Sequence, residues 1–257
     1  MASIERPDGC RLYLETHGER DAPALILLEG LGGDIPGWRR NVPTLSKELR
    51  VIAYDFRGNG NSDDPPGACT METFVEDTCA VLDAVGAERA HVYGQSFGGM
   101  VAQAMGLERR GRVRTLILAA THPGGSRAVH RRAKVPITEP WQALYSPAFV
   151  AEHSERVVGD LRARGSRSEH PQGGRRQWEA MQAFDAYDRL REITAPTLVM
   201  HGTEDRTVDP ENARILASAI PGAELSWLEG AGHLYNFEQA EAADREVLDF
   251  VRRHADA

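Results

Sequence analysis

The run Leu25-Ile26-Leu27-Leu28 is apolar at every position, with none of the alternation that marks a strand with one wet face. Such a strand must be covered on both sides, which is the situation of a parallel sheet packed between helices. The pattern recurs. Short strands are expected at Ser3–Glu5, Arg11–Thr16, Leu25–Leu28, Val51–Tyr54, His91–Tyr93, Thr115–Ala119, Thr197–Met200 and Glu224–Leu228, the first two forming a hairpin through Asp8-Gly9. Between them, helices are expected at about Trp38–Leu49, Met71–Val85, Phe97–Glu108, Pro210–Ala219 and Ala240–His254. Thr70 is placed to cap the second, and Asp209 followed by Pro210 to open the fourth. This alternation predicts an α/β fold with a mostly parallel sheet of about eight strands.

From Gly124 to Leu190 the rhythm breaks. The segment is rich in Arg, His, Ser and Gly, and Trp178, Met181, Phe184 and Tyr187 recur every three residues as on a helix. It reads as a helical lid (124–190) inserted into a core made of 1–123 and 191–257, lying over the carboxyl ends of the strands where open α/β sheets bind ligands.

The pentapeptide Gly94-Gln95-Ser96-Phe97-Gly98 fits G-x-S-x-G between an apolar strand and a helix that opens with small residues. That context makes it a nucleophile elbow, in which a tight turn strains the serine backbone and lifts the hydroxyl above the sheet. The following helix start offers backbone N–H groups and partial positive charge to an oxyanion. A serine needs a base held by a third group. Among nine histidines, His233 sits in Gly230-Ala231-Gly232-His233, directly after the last strand and at the same sheet edge as Ser96. His17, His130, His153, His170 and His254 lie in charged stretches and read as solvated. The acid belongs to the loop Gly202-Thr203-Glu204-Asp205, with Asp205 preferred over its rival Glu204. The two oxyanion donors are assigned to the amides of Leu31, in the glycine-rich loop Glu29–Asp34, and of Phe97. The chain order Ser96, Asp205, His233 is the order of the α/β-hydrolase fold.

On these residues the chain resembles the α/β-hydrolase family over nearly its whole length. Asp55-Phe56-Arg57-Gly58-Asn59-Gly60-Asn61-Ser62 is similar to the family loop D-x-R-G-x-G-x-S, and Ile193–Thr197 resembles the lead into the strand before the acid. The resemblance implies hydrolysis through an acyl-serine, with no cofactor and no metal. The departure is Glu29, where many members carry histidine before the glycine. Its carboxylate either points away and makes a structural hydrogen bond, or lines the pocket, beside Gly30, and disfavours anionic substrates. His170–Gln177 is similar to a segment of small-molecule methylesterases of polyketide antibiotic pathways. The lid aromatics Trp141, Tyr145, Phe149, Trp178 and Phe184 suit an apolar substrate group or the lid's own packing, and Trp141 and Trp178 are taken as substrate-binding.

The function expected is hydrolysis of a carboxylic ester or lactone of a small apolar molecule. A carbon–carbon bond hydrolase and a cofactor-free perhydrolase would use the same residues, though the former tends to carry a Ser-Gly-Pro-Gly-like loop where this chain has Gly30-Leu31-Gly32-Gly33. A ligand receptor on this fold is the non-enzymatic alternative. A net charge of -8 argues against nucleic acid and against an anionic membrane surface as partners. Three cysteines without CxxC spacing, and no apolar run of membrane-spanning length, fit a cytoplasmic protein.

Overall fold

The computed structural model describes residues 2–130, 140–165 and 173–255. Eight strands, β1 (Ala2–Glu5), β2 (Arg11–His17), β3 (Ala24–Leu28), β4 (Arg50–Tyr54), β5 (Ala90–Gln95), β6 (Val113–Ala119), β7 (Thr197–Gly202) and β8 (Glu224–Leu228), form one sheet in the order β1-β2-β4-β3-β5-β6-β7-β8. The β1–β2 and β2–β4 pairs are antiparallel and all the others parallel. Every expected strand is present.

Among the described residues nine helices accompany it: α1 (Val42–Leu45), α2 (Met71–Ala84), α3 (Phe97–Glu108), α4 (Pro147–Glu152), α5 (Ser154–Gly165), α6 (Gly173–Ala183), α7 (Glu211–Ala219), α8 (Tyr235–Glu238) and α9 (Ala240–Arg253). The strand period of two sorts the core into two layers. Ile26 and Leu28 face Phe74, Val81, Met105 and Leu216 of α2, α3 and α7, whereas Leu25 and Leu27 face Leu45, Tyr235, Val247 and Phe250 of α1, α8 and α9. Both faces of the central strands are therefore dry, as their unbroken apolar runs require.

Three helix expectations are corrected. The stretch Trp38–Leu49 is not one helix but a 3-10 turn (Ile35–Trp38) and the short α1, because Pro43 has no N–H to extend a preceding turn. Pro210 is the N-cap of α7 rather than its first residue, while Asp209 Oδ1 accepts from Glu211 N–H at 3.0 Å. The aromatic stripe leaves its helix at Ala183, since the Phe184 carbonyl is taken by Gly125 N–H at 3.0 Å and Asp185 bridges Gly124. Thr70 caps α2 as expected, in a reciprocal arrangement with Thr73.

Between β6 and β7 run α4, α5 and α6. Tyr145, Phe149 and Val157 make a small core of their own against Leu234 and Phe237 of the main body. Among the described residues no helix is long and apolar enough to cross a membrane, and no cluster of three His, Cys, Asp or Glu could hold a metal.

Candidate active site

Ser96 joins β5 to α3 with φ 53° and ψ −112°, a backbone conformation that costs a non-glycine residue about 1–3 kcal/mol. The glycines on either side make it possible. A Cβ on Gly94 would lie 2.1 Å from the Gly98 carbonyl oxygen, and one on Gly98 would lie 2.1 Å from that of Leu28. Ser96 N–H donates to the Ala119 carbonyl at 2.8 Å, and Thr121 Oγ1 donates to the Ser96 carbonyl at 2.7 Å. The strained residue is thus held at both peptide ends by the neighbouring strand and its exit.

His233 lies in the loop after β8, where its carbonyl accepts from Gln95 Nε2 at 3.0 Å. Its ring Nδ1 donates to Asp205 Oδ2 at 2.8 Å, which leaves Nε2 for a proton transfer. Ser96 and His233 line one cavity. Asp205 is fully buried: its Oδ1 accepts from Thr207 and Val208 N–H at 2.8 and 2.9 Å, and its Oδ2 lies 3.0 Å from His201 Nε2. Burial works to raise the Asp205 pKa, but attraction to His233 and the hydrogen bonds from His201 and His233 outweigh it and hold the carboxyl well below the ordinary range. Glu204 is exposed, and among the described residues it makes only a backbone bond, to the Ala231 carbonyl at 2.9 Å. The geometry puts Asp205, not its rival, on the imidazole.

The loop after β3 is tied down from three directions. Gly30 N–H donates to the loop's own Glu29 Oε2 at 2.5 Å, Gly32 N–H to Gln177 Oε1 of α6 at 2.8 Å, and Gly33 N–H to the Gly30 carbonyl at 3.0 Å. Asn59 Nδ2 holds the Gly33 carbonyl at 2.7 Å, and Asp55 Oδ1 holds Ile35 N–H at 2.8 Å. Of the four amides from Gly30 to Gly33, that of Leu31 donates to no described residue, and neither does that of Phe97 at the start of α3. These are the two amides the sequence assigned to an oxyanion. Glu29 makes a structural bond without pointing away from the site, since it also borders the cavity.

A family pattern described as "Alpha/beta hydrolase family" matches residues 25–246. The chain belongs to the alpha/beta hydrolase family. It is 31% identical to "Putative carbamate hydrolase RutD" of Variovorax paradoxus (strain S110), over 94% of this chain and 96% of the relative. The enol-lactonase from Burkholderia xenovorans LB400 superposes with a TM-score of 0.83 at 29% identity, covering 95% of this chain and 97% of that one. A thermophilic esterase from Thermogutta terrifontis gives a TM-score of 0.86 at 25% identity, covering 99% and 100%.

In this hydrolase the cavity measures about 550 Å³. The segment between β6 and β7 supplies Leu144, Leu161, Trp178, Met181 and Gln182 to its wall, and Val208 and Leu234 add to the apolar part. No Lys or Arg lines it among the described residues. Trp178 borders the cavity while half exposed, but the side chain of Trp141 lies outside the described residues. Tyr145 and Phe149 serve packing instead, each ring centroid 6.0 Å from Phe237. His130, expected to be solvated, is exposed yet borders the cavity beside His122. Arg127 of the same basic stretch lies over the Tyr187 ring at 5.0 Å, while Arg131, Arg132, Lys134 and His170 lie outside the described residues. Sequence reasoning missed His122, which borders the cavity, and Gln177, which holds the loop behind it. The position of His122 just past β6, at the sheet edge that carries Ser96, is the signal that could have found it.

Proposed function

We propose that this hydrolase cleaves a carboxylic ester or lactone of a small uncharged molecule through an acyl-serine, with Ser96, His233 and Asp205 as nucleophile, base and acid. The observation that carries the reading is the 2.8 Å bond from His233 to buried Asp205 at the edge of the cavity onto which strained Ser96 opens. His233 Nε2 takes the Ser96 proton as Oγ attacks the carbonyl carbon, and Asp205 stabilises the imidazolium without taking a proton. The oxyanion is met by the unengaged amides of Leu31 and Phe97, each worth ~3 kcal/mol if the geometry is good. His233 then returns the proton to the leaving alkoxide, the alcohol departs, and a water activated by the same imidazole releases the acid. No step calls for a metal or cofactor.

The wall supports the substrate class. Leu144, Leu161, Met181 and Leu234 favour an apolar group, and among the described residues the wall offers no Lys or Arg to an anion. The described parts of 124–190 act as the lid that shapes this wall. A carbamate is a second reading, favoured by the name of the 31%-identical relative; the same attack would then leave a carbamoyl-serine.

The test is a p-nitrophenyl ester series from acetate to decanoate on wild type and Ser96→Ala together. Turnover in wild type that falls at least a thousandfold in Ser96→Ala is expected. Turnover that survives the substitution sinks the acyl-serine mechanism.

A further inference from the structure

His122 lies three residues past the end of β6 and borders the cavity into which Ser96 opens. Three contacts fix it. The preceding Thr121 is bonded to the Ser96 carbonyl at 2.7 Å, the His122 carbonyl accepts from Gln103 Nε2 at 3.2 Å, and the ring Nδ1 accepts from Gly124 N–H at 3.2 Å. A neutral imidazole that accepts at Nδ1 carries its proton on Nε2. That Nε2–H has no hydrogen-bond partner among the described residues. Burial holds the His122 pKa down to about 4, helped by the neighbouring His130 and His233, so the ring presents one donor and no charge at neutral pH.

The geometry points to His122 as a specificity-determining residue that donates Nε2–H to a second carbonyl on an uncharged substrate. This rests on the acyl-serine reading, which directs the reacting carbonyl oxygen to the Leu31 and Phe97 amides and leaves His122 to a different acceptor. A wholly apolar ligand would strip water from the imidazole and leave its N–H unpaired, whereas a ketone, amide or second ester carbonyl would satisfy it. A carboxylate is the poorer partner, because the same wall holds Glu29 and no described Lys or Arg. The ring is already oriented by Gly124, so the bond forms with little further ordering.

The experiment compares ethyl heptanoate with ethyl 4-, 5- and 6-oxoheptanoate on wild type and His122→Phe. Wild type is expected to favour at least one keto ester in kcat/KM by roughly tenfold, and the ratio should fall to near one in His122→Phe. A wild-type ratio near one for all three, or a ratio that persists in His122→Phe, overturns the assignment. Calorimetric binding of the same esters to Ser96→Ala protein reads the preference without turnover, and equal affinities there would overturn it as well. Loss of the acyl-serine reading would show differently, as ester hydrolysis undiminished in Ser96→Ala.

Discussion

The carboxyl edge of the sheet and the helical segment between β6 and β7 meet in one cavity but are built on opposite plans. At the edge the groups that hold the site in place are committed: Asp205 takes four donors, Ser96 is held at both peptide ends, and the amides of Gly30, Gly32 and Gly33 are bonded. The segment rests on a small aromatic core and a few polar ties. Ser146 N–H and Oγ both donate to Glu238 at 2.8 Å, Arg176 pairs with Asp64, and Gln177 reaches Gly32. Rigid, fully bonded loops can fix reacting atoms to fractions of an ångström, which is where catalytic rate resides. Apolar packing around a cavity sets which molecule fits. Substitutions of the groups that hold Ser96 and His233 should therefore move kcat, and those in the segment, like those at His122, should move selectivity.

The strongest test of the edge is Asp205→Asn. An amide there offers Nδ2–H where His233 Nδ1–H now donates, so the imidazole would be held in the wrong tautomer. A loss of about 10⁴ in kcat is expected with KM little changed, read on any ester wild type turns over. Losses under about tenfold would mean that the edge does not carry the rate. Next in size is Gln177→Leu, which crosses the comparison. Its carboxamide is fully buried and is the acceptor for Gly32 N–H, one residue from the free Leu31 amide. Removing it should loosen the loop and lower kcat about tenfold, while Gln177→Glu, which keeps an acceptor, should recover part of the loss. A KM effect alone would place Gln177 with substrate fit and keep the two regions separate.

The edge was legible in the sequence because its chemistry is local. Glycines at 94 and 98 can be replaced by nothing larger, and the acid and base must follow strands β7 and β8, so position along the chain stands in for position in space. The continuous apolar strands were legible for the same reason. What stayed hidden depends on contacts between distant residues. Gln177 and Gly32 are 145 positions apart, and nothing in the composition of α6 marks one glutamine as the holder of a loop. The helix expected from Trp38 failed on a local conflict instead, its apolar period overruled by Pro43.

The smallest expected effect belongs to Trp178, and it tests the other half of the comparison. The indole lies on α6, one residue past Gln177, and is 50% exposed while bordering the cavity. Its removal therefore costs little packing, and the fold should lose under about 1 kcal/mol. Trp178→Ala enlarges the wall on the segment's side without touching Ser96, His233 or the loop from Glu29. In the p-nitrophenyl series the optimum should move to longer acyl chains, with kcat/KM for the best substrate changed only about threefold to tenfold. The direction is the informative part: a longer optimum means that the indole closes the acyl end of the cavity. If every chain length fell by the same factor, Trp178 would be acting on the reaction rather than on fit, and the segment would share the edge's role.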